Sequence, residues 1–384
     1  MHLGNARTAL LAWLQARAAG GSLVMRVEDL DAQRVVPGAE AKILEELRWL
    51  GLDWDEGPDV GGAAAPYRQS ERAARYADAV RRLLAEGKAF ECACSRAEIA
   101  RASSAPHAGE EGARYPGTCR DLAPGEAAAR ARALGRAPAV RFRGGAHIAV
   151  RDLVRGDVDP LPAGVDDFVI QRVDGIAAYQ LAVVVDDAAM GVTHVLRADD
   201  LLDSTPRQLA LYQALSLAAP AFAHVPLVLA PGGERLAKRN RPASIGELRA
   251  AEIAAAEIVG ALAASAGLVE EGTRVAPRDL IDGFSLDKIV RAPVEIDTAA
   301  FARPKSGGAA LVRAVRGADA IALAEVYVAS WRAAYRGIVP AAVLDALSVR
   351  TQTARWQKML AGMAKSETRA WLVEDEGRAR GFVV

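Results

Sequence analysis

Short apolar runs alternate with longer amphipathic stretches through most of this chain, and that alternation restricts the fold more than any other feature. Residues 6–19 place Leu10, Leu11, Trp13, Leu14 and Ala18 on one helical side. The run SLVMRVEDLD then reads as a strand over residues 23–27 ending on Glu28. Residues 38–50 and about 70–86 carry further amphipathic helical patterns. A second series follows, with strands near 168–172, 181–185 and 192–196, a helix over 205–217, and a strand in HVPLVLAPGG before a basic cluster. Leu248, Ile253, Ile258 and Leu262 give residues 244–298 a helical reading. Strands separated by helices join through crossovers rather than hairpins, so the expected fold is α/β with a parallel, Rossmann-like sheet.

The segment 89–140 breaks this rhythm and holds all three cysteines, Cys92, Cys94 and Cys119. An odd, clustered set argues against a secreted disulfide framework and for a metal site in a reducing, cytoplasmic setting. Cys92-x-Cys94, with Cys119 following a Pro-Gly turn, supplies three thiolates of the kind zinc prefers. The residues alone leave the fourth ligand open. His107 offers a neutral imidazole, whereas Tyr115 must lose a phenolic proton of reference pKa about 10. Residues 301–310, FARPKSGGAA, have the composition of a linker. The expected organisation is therefore a first core half at 1–88, a zinc insertion at 89–140, a second core half at 141–243, a helical extension at 244–300, the linker, and a separate module at 311–384.

The 384 residues carry 48 Lys+Arg and 48 Asp+Glu, a formal net charge of +0. Any nucleic-acid partner must then be recognised by local patches rather than by a chain-wide basic field. Residues 1–19 contain His2, Arg7 and Arg17 without a tripartite leader pattern, and no charge-free apolar run reaches bilayer-spanning length. We expect a cytoplasmic monomer with no membrane partner.

Two stretches carry the chemistry. In MHLGNART, Gly4 permits a tight turn and Asn5 is expected to cap the following helix, beside His2. Backbone N–H groups and the positive dipole end at such a start suit a phosphate. In ERLAKRN, Lys238 follows a Pro-Gly-Gly turn and can reach a polyphosphate as a mobile cation. Together they suit in-line attack on the α-phosphate of ATP, a reaction that depends on positioning and charge stabilisation. No carboxylate dyad or Ser-His-Asp set competes.

His2-Leu3-Gly4-Asn5 resembles the HIGH signature of class I aminoacyl-tRNA synthetases, and RLAKR, 235–239, resembles their KMSKS loop. RVEDLD, 26–31, and YQLAVVVDDAAMGVTHVLRADDLLDSTPRQLALYQAL, 179–215, resemble the glutamyl-tRNA synthetase catalytic core, over a region from residue 2 to about 298. In its short length the chain is similar to the glutamyl-Q tRNA(Asp) synthetases, which lack an anticodon-binding domain. That resemblance implies activation of L-glutamate with ATP, accompanied by Mg2+, and transfer to queuosine at the wobble position of tRNA(Asp). The alternative is a glutamyl-tRNA synthetase-like protein with weak or no ligase activity that binds nucleotide or tRNA. By resemblance His2 and Lys238 are catalytic and bind ATP with Gly4 and Asn5. Glu28 holds the amino group of glutamate, Tyr179 lines its pocket, and Arg197 meets its side-chain carboxylate. A planar guanidinium suits that last role on chemical grounds alone. The family places a tyrosine immediately before the Pro-Gly turn, which implies Tyr115 as fourth ligand of a structural zinc. Val183 stands where ordinary glutamyl enzymes carry Asn.

Two departures accompany the resemblance. The family begins with a strand and an arginine-containing loop before the HIGH histidine, without a counterpart here. We therefore expect an N-terminally truncated core whose His2 loop frays and whose adenylation is slow. Residues 311–347, with Trp331, Tyr335 and RGIVP, resemble the opening of the GCN5-related N-acetyltransferases, and RAWLVEDEGRARGFVV resembles their next hairpin. The last module is thus expected to be a partial, non-catalytic fold of that type.

Overall fold

A computed structural model describes residues 1–33, 35–95, 97–99, 115–230, 234–235, 244–296, 301, 311–335, 338–363, 370–375 and 378–383. Lys238, His107 and nearly all of the expected linker lie outside the described residues. The chain divides into two compact units, Met1–Phe301 and Ala302–Val384.

The first unit opens on α1 (Leu3–Ala18), which buries Leu3, Ala6, Leu10, Leu11 and Leu14, positions that recur on one helical side. Its cap differs from expectation: the His2 imidazole accepts the Asn5 N–H at 3.3 Å, so Asn5 lies inside the first turn rather than capping it. Helix α2 (Ala39–Trp49) buries Leu44 and Leu47 in the same cluster as Leu10 and Trp13. Helix α3 (Ala73–Ala85) buries Tyr76, Val80 and Leu83, spaced by four and three residues.

The strand expected over 23–27 is not continuous. Val24 bridges Glu56 and Val27 bridges Arg68, both in parallel, through Met25 N–H to the Glu56 carbonyl at 2.8 Å and Val27 N–H to the Tyr67 carbonyl at 2.9 Å. Two separate partner segments cross it, so no unbroken ladder forms.

Strand β1 (Ala89–Cys92) frames the cysteine segment, which also contains helix α4 (Glu126–Ala133). It pairs antiparallel with β2 (Ala139–Phe142), which runs across the boundary expected at residue 140. Next come β3 (Val150–Asp152), β4 (Gly156–Val158) and β5 (Val169–Gln171); β5 lies on the other edge of β2. Helix α5 (Tyr179–Ala189) occupies the stretch expected to hold a strand at 181–185. Leu181, Ala182, Val183 and Val184 are all buried, so the run has no polar face and its periodicity could not separate helix from strand.

Strand β6 (His194–Ala198), helix α6 (Thr205–Ala214) and β7 (Ala221–Val225) follow. The central sheet has the order β4-β3-β7-β6; β3, β7 and β6 are parallel, as expected, and β4 is an antiparallel edge. Beyond it are β8 (Val228–Ala230), β9 (Glu234–Arg235), α7 (Ile245–Ala250), α8 (Ala255–Ser265) and β10 (Val294–Glu295). The helical reading of 244–298 is therefore met only in part: 3-10 turns at Pro277–Leu280 and Leu286–Lys288 and the parallel pairing of β10 with β8 interrupt it.

The second unit is an antiparallel sheet of order β11-β12-β13, formed by β11 (Leu311–Ala314), β12 (Trp371–Asp375) and β13 (Arg378–Val383). Between the first two strands run α9 (Ala320–Ala334), α10 (Ala341–Asp345) and α11 (Val349–Met363). Ala320, Leu323, Ala324, Trp356 and Leu372 form its core. Among the described residues, no helix is long and apolar enough to cross a membrane.

Candidate active site

The first turn of α1 lies just past the C-terminal end of β7. Buried Arg7 donates to the Pro226 carbonyl at 2.8 Å, and a side chain at Gly4 would come within 3.8 Å of Val228. Ligands of open α/β folds bind at this end of the parallel strands. The expected fraying of the His2 loop is countered by an antiparallel bridge between His2 and Ser244, with Ile245 N–H donating to the Met1 carbonyl at 2.8 Å. Gly4 has a specific use: a Cβ there would meet the His2 ring at 3.2 Å.

His2 can be read chemically from this geometry. Burial lowers its pKa below the ordinary 6.5, so the ring is neutral at pH 7. Because Nδ1 accepts a backbone N–H, the proton of the neutral ring sits on Nε2, which is left as a hydrogen-bond donor.

The other three predicted residues approach one another. Glu28 and Tyr179 line one cavity of about 870 Å³, together with Met25, Arg26, Ile43 and Gln69. Arg197 is not on that wall but is an electrostatic neighbour of the Tyr179 hydroxyl, as are Glu28 and Asp187. Tyr179 stands at the start of α5 and keeps 38% of its surface open; desolvation raises its pKa, and Arg197 opposes the shift. Arg197 projects from β6 and is buried, which lowers its pKa, although a guanidinium stays charged. It donates through Nε to His224 Nε2 at 3.0 Å and through Nη2 to Thr205 Oγ1 at 2.8 Å. The Tyr179 hydroxyl also interacts with this guanidinium. Glu28 receives Arg26 Nη2 on Oε1 at 3.1 Å and is otherwise exposed. Val183 is buried in α5 and contributes no polar atom.

Sequence reading missed what holds this wall. Asp186 and Asp187, consecutive on α5, anchor it from behind. Asp186 is completely buried and accepts from Arg72 Nε at 2.6 Å, Tyr76 Oη at 2.7 Å and Gln69 Nε2 at 2.9 Å. Asp187 accepts Arg26 Nη1 at 2.6 Å, and this neighbour, with Glu28, raises the Arg26 pKa despite burial. The signal was available as two acids inside an apolar run, VVVDD, since an acid there must find a partner.

The cysteine segment forms a second centre. Its three thiol sulfurs lie within 4.8 Å of one another, with Cys94 Sγ to Cys119 Sγ at 3.5 Å. Tyr115 Oη is 3.5 Å from Cys92 Sγ and 3.9 Å from Cys94 Sγ, and it accepts the Cys119 N–H at 2.7 Å. A tetrahedral zinc with Zn–S bonds of about 2.3 Å sets its ligands roughly 3.8 Å apart, so these donors fit one. The charge pattern fits too. Burial and the neighbouring thiols push Cys94 up to about 12, and burial raises Tyr115, whereas backbone and side-chain donors lower Cys119 despite burial. A divalent cation relieves that crowding of acidic groups. Buried Arg141 adds a positive charge alongside: Nε donates to Cys92 Sγ at 3.4 Å, and the guanidinium lies 4.0 Å from the Tyr115 ring centroid.

Comparison with known proteins points the same way. Residues 1–273 match the family described as tRNA synthetases class I (E and Q), catalytic domain. The chain is 53% identical over 312 residues to a glutamyl-Q tRNA(Asp) synthetase of Symbiobacterium thermophilum, covering 81% of this chain and 96% of that protein. It is 44% identical over 303 residues to a glutamate–tRNA ligase of Heliobacterium modesticaldum, covering 77% of this chain but 60% of the ligase. The crystal structure of a glutamate–tRNA synthetase from Elizabethkingia anophelis superposes with a TM-score of 0.67 at 28% identity, over 78% of this chain and 66% of that one.

Proposed function

Because the chain belongs to the class I tRNA synthetases for glutamate and glutamine, we propose that it converts L-glutamate and ATP to glutamyl-adenylate and transfers the glutamyl group to queuosine at the wobble position of tRNA(Asp). The observation that carries the transfer step is similarity: the chain is 53% identical to a relative named for that reaction, over 96% of that relative, against 44% to the glutamate–tRNA ligase, over 60% of it.

In this reading Arg197 pairs with the side-chain carboxylate of glutamate and Glu28 receives its ammonium group. Tyr179 closes the pocket between them. The α-carboxylate attacks the α-phosphate of ATP, and pyrophosphate leaves. The His2 Nε2–H donates to phosphate oxygens as charge builds on them, an interaction of the kind that gains most in the transition state. Lys238 of the RLAKR motif serves the same phosphates, and Mg2+ travels with ATP. A hydroxyl of queuosine then attacks the adenylate carbonyl, forming an ester and releasing AMP.

Cys92, Cys94, Cys119 and Tyr115 hold zinc in a closed four-ligand site, where it supplies structure rather than chemistry. In the second unit, the order of strand, helices and hairpin supports an acetyltransferase-like appendage without a role in this reaction. The test is incorporation of labelled glutamate into tRNA(Asp) that carries or lacks queuosine. Incorporation only into the former is expected; equal incorporation into both refutes the acceptor assignment.

A further inference from the structure

Three neighbouring parallel strands carry a continuous line of polar side chains behind Arg197. Asp152 ends β3, His224 lies on β7, and Arg197 lies on β6 directly opposite His224 in the ladder. Asp152 is 3% exposed, His224 0% and Arg197 9%. Polar groups buried so deeply must be satisfied internally, and the line is. Asp152 accepts the backbone N–H groups of Val154 at 2.9 Å, Arg155 at 2.8 Å and His224 at 3.1 Å, and His224 Nδ1 lies 2.6 Å from its Oδ2.

The direction of these hydrogen bonds is fixed by chemistry. An arginine can only donate. With Arg197 Nε 3.0 Å from His224 Nε2, that nitrogen must present its lone pair. The imidazole proton then sits on Nδ1 and is donated to Asp152. Thr205 Oγ1 braces the other limb of the guanidinium at 2.8 Å, and the Phe222 ring lies beneath it with its centroid 5.1 Å away. Nε and Nη2 are thus committed inward, and the outer edge of the guanidinium, shared with the Tyr179 hydroxyl, is left to meet a ligand.

We propose that His224 is a positioning residue that orients the Arg197 guanidinium through a neutral acceptor and keeps the Asp152 carboxylate one ring away from it. The consequence is electrostatic. A carboxylate placed directly on Nε would compete with an incoming carboxylate for the same charge and close one edge of the fork. The imidazole supplies the orienting contact without the negative charge, so the guanidinium stays open to an anionic ligand group. The proposal rests on the assignment of Arg197 to the glutamate side-chain carboxylate.

An isosteric pair tests it. Equilibrium binding of labelled L-glutamate to the full chain is measured at pH 8 for the parent, Arg197→Ala, His224→Gln and His224→Glu. ATP binding and near-ultraviolet circular dichroism are followed in parallel. His224→Gln keeps a neutral acceptor and should bind glutamate within about threefold of the parent, whereas Arg197→Ala and His224→Glu should each weaken it by about tenfold or more. ATP affinity should not move in any of them. If Arg197→Ala loses glutamate while His224→Glu binds as tightly as His224→Gln, the proposal is overturned and the Arg197 assignment stands. If Arg197→Ala binds as the parent does, the assignment falls and the proposal with it. Should the buried glutamate in His224→Glu prevent folding, His224→Phe takes its place: it removes the acceptor, and parent-like binding by that variant also overturns the proposal.

Discussion

His2 combines two functions that a single substitution would confuse. It caps α1 through Nδ1 and offers Nε2–H to the proposed phosphate site. His2→Ala should lose both, costing about 1 kcal/mol of stability in chemical denaturation as a lost cap. His2→Asn is a good cap without the ring donor. It should unfold as the parent does yet lower glutamate-dependent ATP–pyrophosphate exchange by roughly 100-fold. Equal exchange by parent and His2→Asn would remove His2 from the chemistry. Arg197→Ala should act on the amino acid instead, raising the glutamate requirement of exchange by about 10- to 100-fold while the ATP requirement holds. Both residues stand out in the sequence because they fall in motifs. Their supports do not: Asp152 and His224 lie 72 residues apart, and only the register of β3, β7 and β6 brings them together.

At the scale of elements, α5 shows where sequence reading fails and why. A buried helix has no solvent side to mark its period, so Leu181, Ala182, Val183 and Val184 read equally well as a strand. The acids that follow carry the clearest stability prediction. Asp186→Asn leaves the buried Arg72 guanidinium without its ion pair and should cost about 3–5 kcal/mol by denaturant unfolding. A change below about 1 kcal/mol would mean that the cluster is relaxed by other partners. The cysteine segment was easier to read, because all three cysteines fall within one interruption of the strand–helix rhythm. Cys119→Ser should lower bound zinc by metal analysis, and unchanged stoichiometry would argue against the site. Arg141→Met should keep the ligands but release zinc faster to a chelator, since it removes the hydrogen bond to Cys92 Sγ and the charge beside Tyr115. Arg141 was invisible in sequence; it reaches the metal site only because β2 pairs with β1.

For the whole molecule, alternation of strands and helices foretold a parallel sheet, and the sheet β4-β3-β7-β6 has that form at its centre. The boundary expected at residue 140 falls inside β2, whereas the division between Phe301 and Ala302 lies within the stretch whose composition reads as a linker. Hydrophobic pattern sets which face of an element is buried, whereas boundaries depend on which elements pair, and pairing is a long-range property. The second unit has its own core, so removing residues 302–384 should leave glutamate-dependent exchange unchanged. The central claim is the destination of the activated glutamate. Queuosine-containing tRNA(Asp) charged by the full chain with labelled glutamate and ATP should be cut by ribonuclease and the label located among the fragments. Label is expected on the anticodon fragment, attached to queuosine. Label on the 3′-terminal adenosine would contradict the claim and make the chain an ordinary glutamate-charging catalytic core.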